Sequence, residues 1–460
     1  MGTLTFGNAG NASAMDQAWT VGGVAHLRTD GSNAIMDLQG GSLVATGALR
    51  VACPALTQTS SGGAVITNGL VTIGTASAGG NLSVALFSGT AHYQGYAAGS
   101  LTFTKGTALE ASYLKDVYVG RGDTNSAHPT AQIIGTLDLQ NATITNGLWR
   151  CSKLVMGDGR PPAGSRDEGR VKLGQTNGLT DLVVLSLLGI GGSESGSGYG
   201  RMGVEANGWL LPSNVNLQVG QDAGSRGDLR VGLGRWEAAD GYLAAATGGV
   251  FTAYLGNLWV GSTLGGYNVG GTGILDLRRM NGMTGDVNNV RIGDNDQGGA
   301  ASGVGQVYLP PGIATVRSNV TVGAPSLSQG LLELFGTLMP VGGRVTIGAT
   351  GRVTNHVQGV SCGLDVASSD TNDFTVASAG RVHLAFEANP ATAMAPYWGL
   401  RMAGNQVAYF ADLTAAGRIT YSTAGLSPSH ATRFGIFHDS AAARTYIGLL
   451  PVRGTVFLVH

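Results

Sequence analysis

The sequence predicts an all-β fold, a right-handed parallel β-solenoid, from two recurring phrases and an unusual glycine content. The first, the anchor phrase, alternates apolar and variable residues and ends in glycine, at residues 258–261, 290–293, 320–323 and 345–348. The second, the companion phrase, is glycine followed by alternating apolar residues, at 273–277, 305–309 and 330–334. Glycine supplies 77 of the 460 residues, about 17% against an average of about 7%. Many strands joined by glycine-rich turns fit these features.

The spacing of the anchor phrases predicts how the strands are stacked. Alternation of apolar and polar residues is typical of strands that bury one face. Successive anchor glycines are about 32, 30 and 25 residues apart, within the range typical of solenoid repeats. About nine or ten coils, stacked ~4.8 Å apart, would form a rod of roughly 45 Å.

The clarity of the repeats predicts three regions. Residues 1–60 carry looser repeats and are interpreted as an N-terminal capping region, residues 61–355 as the β-solenoid, and residues 356–460 as a C-terminal β-rich module or cap. The last region is richer in aromatic residues and has candidate strands at 381–386, 407–410, 418–421 and 454–459. Two segments interrupt the strand pattern as candidate short helices, at 236–246 and 107–114.

Composition narrows the partners and the location. The net charge is −1, which favours neither nucleic acid nor an anionic membrane as a partner. No apolar run approaches the ~18 residues of a membrane-spanning helix. The start of the chain has no signal-peptide pattern, so we expect the signal of an exported protein to be missing from this sequence. The three cysteines match no metal or redox spacing and are interpreted as small buried side chains, with one disulfide left open.

The search for chemistry predicts no catalytic, cofactor-binding or metal-binding residue. The glycine pattern at residues 198–203 resembles a dinucleotide-binding motif, but no helix is predicted to follow it. The eight histidines are scattered, and the neighbours His430 and His438 are interpreted as loop or surface residues. Arg-Gly-Asp occurs at 121–123 and 226–228, where turn formation is favoured over receptor binding.

Two clusters of aspartates leave alternatives open. They lie among glycine, serine and asparagine, and comprise Asp365, Asp370 and Asp373 in one cluster and Asp294 and Asp296 in the other. Aspartate in such surroundings commonly caps turns with its own side chain. Calcium binding and polysaccharide cleavage are the alternatives, although calcium usually takes six or more oxygen ligands.

The repeat grammar resembles that of bacterial surface β-solenoids. An anchor phrase, a glycine-rich loop and a companion phrase are similar to autotransporter-associated strand repeats and to repeats of large exported proteins in Planctomycetes- and Verrucomicrobia-type bacteria. The resemblance covers roughly residues 65–355. It implies an extracellular or envelope-attached protein with an adhesive or structural role, and it carries no catalytic residue over to this chain.

These observations predict a non-catalytic extracellular or cell-surface protein, structural or adhesive, with self-assembly into a fibre as one form of that role. Its expected partners are copies of itself, in a homo-oligomer or filament, or a cell-envelope or polysaccharide surface. The alternative is a carbohydrate-active β-helix enzyme or a tailspike-like polysaccharide-binding protein. A line of carboxylates on one solenoid face would favour the alternative.

Overall fold

The all-β parallel solenoid predicted from the sequence is confirmed by the structure, a computed structural model. It describes residues 13–14, 18–21, 24–27, 34–53, 60–86, 95–122, 131–159, 167–192, 198–235, 238–263, 269–294, 303–323, 328–391 and 396–450. These residues form a 15-stranded sheet and a 23-stranded sheet. Among the described strands, every pairing is parallel except the two that Arg444–Leu449 makes. No helix in the described part of the chain is long and apolar enough to cross a membrane.

The 15-stranded sheet forms one side of the solenoid, which we call face A. Its strands carry the companion phrases, and each pairs with the equivalent strand one coil away. The strands are Ser13–Ala14, Ala34–Asp37, Ser60–Thr67, Gly95–Phe103, Ala131–Leu139, Asp167–Leu173, Gly198–Gly203, Leu210–Leu211, Ala239–Ala245, Gly271–Asp276, Val304–Leu309, Gln329–Phe335, Gly351–Gln358, Arg381–Ala388 and Ile419–Ser422.

The 23-stranded sheet bends around a corner and forms two further sides. Face B comprises Ala18–Val21, Ser42–Ala45, Gly69–Ile73, Thr107–Ala111, Asn216–Val219, Gly312–Val316, Thr337–Val341, Gly363–Val366 and Tyr397–Ala403. Face C carries the anchor phrases and comprises Val24–Leu27, Ala48–Val51, Gly80–Leu86, Leu114–Arg121, Gly227–Val231, Val320–Val322, Val345–Ile347 and Phe374–Val376. Four long strands run through both faces, namely Thr143–Asp158, Asp181–Ile190, Val250–Val260 and Gly282–Ile292. Each coil therefore visits face A, face B and face C in turn.

Inward side chains stack into one core along the solenoid. Val307 is fully buried and lies in register between Leu275 and Leu332 of the neighbouring coils. The anchor residues Val320 and Val322 are also fully buried, which confirms the predicted inward positions. Burying a side chain of this size contributes about 1.5–3 kcal/mol. Because each coil contacts mainly its neighbours, stability is the sum of many such coil-to-coil contacts.

The anchor glycine is required where face C gives way to face A. Gly293 has a φ of +55°, in the left-handed region that other residues avoid. A Cβ atom at this position would lie 1.9 Å from the carbonyl oxygen of Gln329. Gly305, which begins the next companion phrase, would place a Cβ 2.4 Å from the Gly293 nitrogen. Two glycines from successive phrases therefore pack backbone against backbone at this corner.

Stacking continues on both sides of the 61–355 range that the sequence marks as solenoid. Before it, Ser42–Ala45 pairs with Gly69–Ile73. After it, Gly351–Gln358 pairs in parallel with Arg381–Ala388, which in turn pairs with Ile419–Ser422. The strand stack thus crosses residues 60 and 355 without a break.

The C-terminal end closes the core with two helices and a hairpin. The helices are Val407–Ala415 and Pro428–Ala431, and the hairpin strands are Phe434–Asp439 and Arg444–Leu449. Phe410 on the first helix packs edge-on against Phe374, with ring centroids 6.0 Å apart. Short 3₁₀ turns occur at Glu205–Asn207 and Thr371–Asp373.

Three local predictions are wrong. Residues 407–410 are helical because Phe410 and Leu413, three residues apart, both face the core. The alanine-rich segment forms the strand Ala239–Ala245, because in-register pairing with Gly271–Asp276 outweighs the helix propensity of alanine. The candidate helix at 107–114 is the strand Thr107–Ala111 followed by the start of the next strand.

The predicted strands at 381–386 and 418–421 are present, while 454–459 lies outside the described residues.

Candidate functional site

The structure places Asp365, the first of the clustered aspartates, in a buried ion-pair network. Its side chain is 9% exposed, and one carboxylate oxygen lies 2.6 Å from Arg401. The other oxygen lies 3.2 Å from Arg444, whose guanidinium also donates to the carbonyl of Val366. Asp365 therefore forms ion pairs with two arginines, one on the face B strand Tyr397–Ala403 and one on the hairpin strand Arg444–Leu449.

The remaining clustered aspartates have separate structural partners. Asp370 accepts a hydrogen bond from the backbone N–H of Asn372, 2.8 Å away, and caps the 3₁₀ turn. Asp373 lies 3.5 Å from Arg344 on the neighbouring coil. Within the described ranges, no group of three or more metal-ligating side chains is formed. Asp370 therefore caps a turn with its own side chain, as the sequence predicts for these aspartates.

The second cluster is described only in part, since Asp296 lies outside the described residues. Asp294 is 8% exposed, and its carboxylate lies 3.8 Å from Arg291. It sits next to Gly293 at the end of an anchor phrase.

The second Arg-Gly-Asp motif joins coils. Arg226 donates to the backbone carbonyls of Leu255 and Asp286, at 3.1 and 2.6 Å. Asp228 binds Arg230 at 2.5 Å and accepts from the side chain of Asn257 at 3.1 Å. Arg226 and Asp228 therefore both contact residues of neighbouring coils of the solenoid. Asp123 of the first motif lies outside the described residues.

The other sequence candidates have ordinary structural surroundings. All three cysteines are free and buried. Burial raises the pKa of the Cys53 and Cys362 thiols to about 11, so they stay protonated at neutral pH. His430 lies 2.6 Å from Ser427, and His438 lies 3.3 Å from Thr445. Residues 198–203 form a face A strand followed by a 3₁₀ turn, without the long helix that a dinucleotide site requires.

Arginine side chains stack on aromatic rings across coils. Trp259 on face C lies between two guanidinium groups, those of Arg230 at 5.1 Å and Arg291 at 5.5 Å from its ring. A planar guanidinium can lie flat on a ring while its N–H groups donate hydrogen bonds in its own plane, whereas an ammonium group has no plane to stack. Arginine is therefore well suited to these positions between coils.

The outer surface of face A carries a row of aromatic, basic and acidic side chains. We call this surface the face A strip. Its members are Glu168, Arg170, Tyr199, Arg201, Tyr242, Asp276, Arg278, Gln306, Tyr308, Glu333, Phe335, His356, His383, Glu387 and Tyr421. They come from successive coils, so neighbouring members lie on strands that are ~4.8 Å apart.

The first part of the strip is a stack of tyrosine and arginine. The Arg201 guanidinium lies 4.8 Å from the Tyr199 ring and 5.7 Å from the Tyr242 ring, and Arg170 lies 5.7 Å from Tyr199. Burial raises the pKa of both tyrosines, so their hydroxyls remain neutral. This part presents hydroxyl and guanidinium donors on a partly apolar surface.

The middle of the strip centres on Arg278 and Tyr308. The Arg278 guanidinium lies 4.4 Å from the Tyr308 ring and 2.8 Å from the Asp276 carboxylate. The Tyr308 hydroxyl donates to Gln306 at 3.0 Å. Burial raises the pKa of Tyr308, and the negative charge of Glu333 raises it further.

The last part of the strip holds a histidine between two glutamates. The His356 Nδ1 atom lies 2.5 Å from Glu387, and its Nε2 atom lies 3.5 Å from Glu333. The imidazole stacks on Phe335, with centroids 4.1 Å apart and planes 6° from parallel. Burial alone raises the pKa of Glu387, but hydrogen bonds from His356 and Gln358 outweigh burial, and the net pKa is lowered. Glu387 is therefore ionised at neutral pH.

Sequence reasoning missed this trio because its members come from three different coils. Glu333, His356 and Glu387 are separated by 23 and 31 residues, whereas the clustered aspartates are close in sequence. The signal that marks them is the strand register, since Glu333 and His356 occupy outward positions of successive face A strands. Aligning the companion phrases by their glycines would place these residues on one surface.

Comparisons of the chain with protein-family models, with curated proteins and with solved structures find no match. The family resemblance of the repeat phrases therefore stays a prediction. The functional argument rests on the geometry of the face A strip and of the coil contacts.

A pair of buried carboxylates lies at the corner between face C and face A. Asp158 and Asp167 are both fully buried. Asp167 accepts a hydrogen bond from the Ile133 N–H at 2.8 Å through Oδ1. Its Oδ2 packs closely against Gly122 and Gly159. Burial raises the pKa of Asp167 well above its usual range, and the charge of Asp158 raises it further.

We expect Asp167→Asn to stabilise the protein at neutral pH. An aspartate whose folded pKa is raised binds its proton more tightly in the folded state, so stability is full below the unfolded pKa of ~4 and falls as pH rises. The amide has the same shape and cannot ionise, so it avoids a buried charge that costs about 1–3 kcal/mol. Thermal melts between pH 4 and pH 8 would measure this, with the exposed Asp412→Asn as the control. A variant less stable than the wild type at pH 8 would contradict the prediction.

Proposed function

We propose that this protein is a non-catalytic extracellular or cell-surface protein with a structural or adhesive role, and that it binds polysaccharide along the face A strip. The observation that carries the proposal is that the acidic side chains of the strip are paired with basic side chains of the same strip. Asp276 is held by Arg278, and Glu333 and Glu387 flank His356. Carboxylates that are paired in this way position side chains and accept hydrogen bonds.

The chemistry of the strip fits an extended carbohydrate. Sugar rings offer hydroxyls to polar groups and C–H faces to aromatic rings, and the strip combines both kinds of group. Its members repeat from coil to coil, so a polymer lying along the solenoid axis meets similar groups many times. Solenoids use such long surfaces for recognition more often than enclosed pockets.

Substitution in the middle of the strip tests this proposal. We expect Arg278→Ala and Tyr308→Ala each to weaken binding to a responsive polysaccharide roughly tenfold, about 1.4 kcal/mol. Affinity electrophoresis against a panel of neutral and acidic polysaccharides would identify that polysaccharide and measure the loss. Thr321→Ala is the matched control, because Thr321 faces outward on face C. The proposal would be contradicted if no polysaccharide retarded the wild type. It would also be contradicted if every bound polysaccharide retarded the wild type and all three variants equally.

One observation favours the alternative of a carbohydrate-active enzyme. Glu333 and Glu387 contact the two nitrogens of the same imidazole, so one ring separates the two carboxylates, a spacing comparable to the roughly 6.5–9.5 Å found in inverting glycosidases. The general acid of such an enzyme needs a raised pKa, and Glu387, whose pKa is lowered, does not fit that role. The His356 ring also occupies the space between the two carboxylates, where such an enzyme holds its substrate and water, and for this reason we favour binding over cleavage.

A reducing-end assay on the bound polysaccharides separates the two functions. The binding proposal predicts no release of reducing ends by the wild type. Release that is lost in both Glu333→Gln and Glu387→Gln, while Arg278→Ala retains some release, would establish the enzyme in its place.

A further inference from the structure

Among the residues that the structure describes, the outermost strand of the C-terminal hairpin leaves one edge of the 23-stranded sheet unpaired. Phe434–Asp439 pairs antiparallel with Arg444–Leu449, which pairs antiparallel with Tyr397–Ala403. No other strand in the described part of the chain pairs with Phe434–Asp439. An unpaired strand edge offers a row of backbone N–H and C=O groups to another chain.

This edge lacks the features that usually prevent strand addition. The strand reads Phe-Gly-Ile-Phe-His-Asp and contains neither lysine nor proline. All six of its residues are partly exposed. A Cβ atom added at Gly435 would meet nothing within 4 Å, so the surface is open at that point. High β propensity and low charge make such a segment prone to pair with another strand.

The edge strand is complementary to a second copy of itself that runs in the opposite direction. If two copies pair antiparallel about a two-fold axis at Ile436, Arg433 of one copy faces Asp439 of the other. In the same register Phe437 faces Gly435, so a large ring lies over the smallest residue. Opposite charges and an aromatic ring over glycine are favourable cross-strand pairs.

We propose that Phe434–Asp439 pairs antiparallel with the same strand of a second copy, so that two solenoids join at their C-terminal ends into a two-fold symmetric dimer. The sheet then runs through both copies without an exposed edge at the junction. A self-complementary patch is the requirement for such an isologous contact. The inference goes beyond polysaccharide binding, because it concerns the end of the solenoid. The strip member Tyr421 stacks on Phe434 of the pairing strand, but the variants that test the dimer change neither of these residues.

Charge reversal in two separate variants tests the register. Arg433→Glu places glutamate against Asp439 of a second copy, and Asp439→Lys places lysine against Arg433. We expect the wild type to be a dimer in sedimentation at micromolar concentration and each variant to dissociate at least roughly tenfold more readily. An equimolar mixture of the two variants is expected to form a heterodimer, because each new charge then faces its opposite.

The controls separate loss of pairing from loss of folding. Thermal midpoints report whether each variant folds, which matters because Asp439 also accepts hydrogen bonds from Ala441 and Ala442 in the hairpin turn. If either variant unfolds, Phe437→Lys replaces it and is expected to give a folded monomer. Ile313→Lys, at a residue that is 51% exposed on face B, should leave the dimer intact.

Three results would overturn the inference, namely a monomeric wild type, filaments in place of dimers, or a mixture of the variants that stays monomeric. Polysaccharide binding by the folded monomeric variants is expected to match that of the wild type per site. Failure of the dimer therefore leaves the proposed function standing, and failure of polysaccharide binding leaves the dimer standing.

Discussion

Replacing Val322 by aspartate is expected to destabilise the solenoid by at least about 4 kcal/mol. Val322 is fully buried and lies in register between Ile292 and Ile347. The substitution loses about 1.5–3 kcal/mol of apolar burial and adds a carboxylate with no partner, which costs several kcal/mol more. Because the side chains above and below belong to other coils, the damage extends to both neighbours.

Urea denaturation followed by circular dichroism would measure this effect. The matched control is Thr321→Asp, because Thr321 is the adjacent residue and faces outward. We expect the control to change the free energy of unfolding by less than about 1 kcal/mol. A large loss of stability in Thr321→Asp with none in Val322→Asp would contradict this account. It would mean that the strand register is shifted by one residue, so that Thr321 faces inward and Val322 outward.

Gly293→Ala is expected to cost about 3 kcal/mol more than Gly208→Ala. Both glycines have a positive φ, +55° at Gly293 and +75° at Gly208, so both substitutions carry a backbone strain of about 1–2 kcal/mol. A Cβ at Gly208 meets nothing within 4 Å, whereas a Cβ at Gly293 would overlap the carbonyl of Gln329. The difference between the two variants therefore isolates the close approach of coils at the corner.

The same denaturation experiment compares the two glycine variants. Equal losses of stability would show that the anchor glycines serve only for their backbone angles. A larger loss at Gly293 supports the backbone contact between successive coils.

The two phrases were enough to predict the parallel solenoid because they mark two of its three faces. The companion phrase marks face A and the anchor phrase marks face C. Face B is marked less regularly. Its strands Gly69–Ile73 and Asn216–Val219 end like anchor phrases, whereas in four coils its strand continues into face C without a turn, as in Val250–Val260 and Gly282–Ile292. When no turn residue such as glycine follows a strand, the sequence does not show where that strand ends.

The strand predicted at residues 407–410 is a helix in the structure, because this sequence fits both strand and helix. Residues 407–410 contain apolar and aromatic residues that also suit a strand. What decides the outcome is the open end of the core, where Phe410 and Leu413 become buried. A short segment cannot reveal which surface it will cover.

Little of the candidate site could be predicted, because the relevant side chains are brought together by stacking. Asp365, Asp370 and Asp373 are close in sequence, yet Asp365 binds arginines while Asp370 caps a turn. Glu333 and His356 are far apart in sequence and meet because their strands are neighbours. Proximity in a solenoid follows register and coil number more than distance along the chain.

Register between coils is the claim on which the face A strip depends, and disulfide trapping tests it most directly. Thr321 and Thr346 are paired on adjacent face C strands, and Thr375 lies one coil further on. The Cα atoms of adjacent strands, ~4.8 Å apart, suit a disulfide, and those two coils apart do not. We predict that mild oxidation of the protein cross-links Thr321→Cys with Thr346→Cys within one chain and leaves Thr321→Cys with Thr375→Cys reduced. The reverse pattern, read by mobility on non-reducing gels, would contradict the stacking and the strip built upon it.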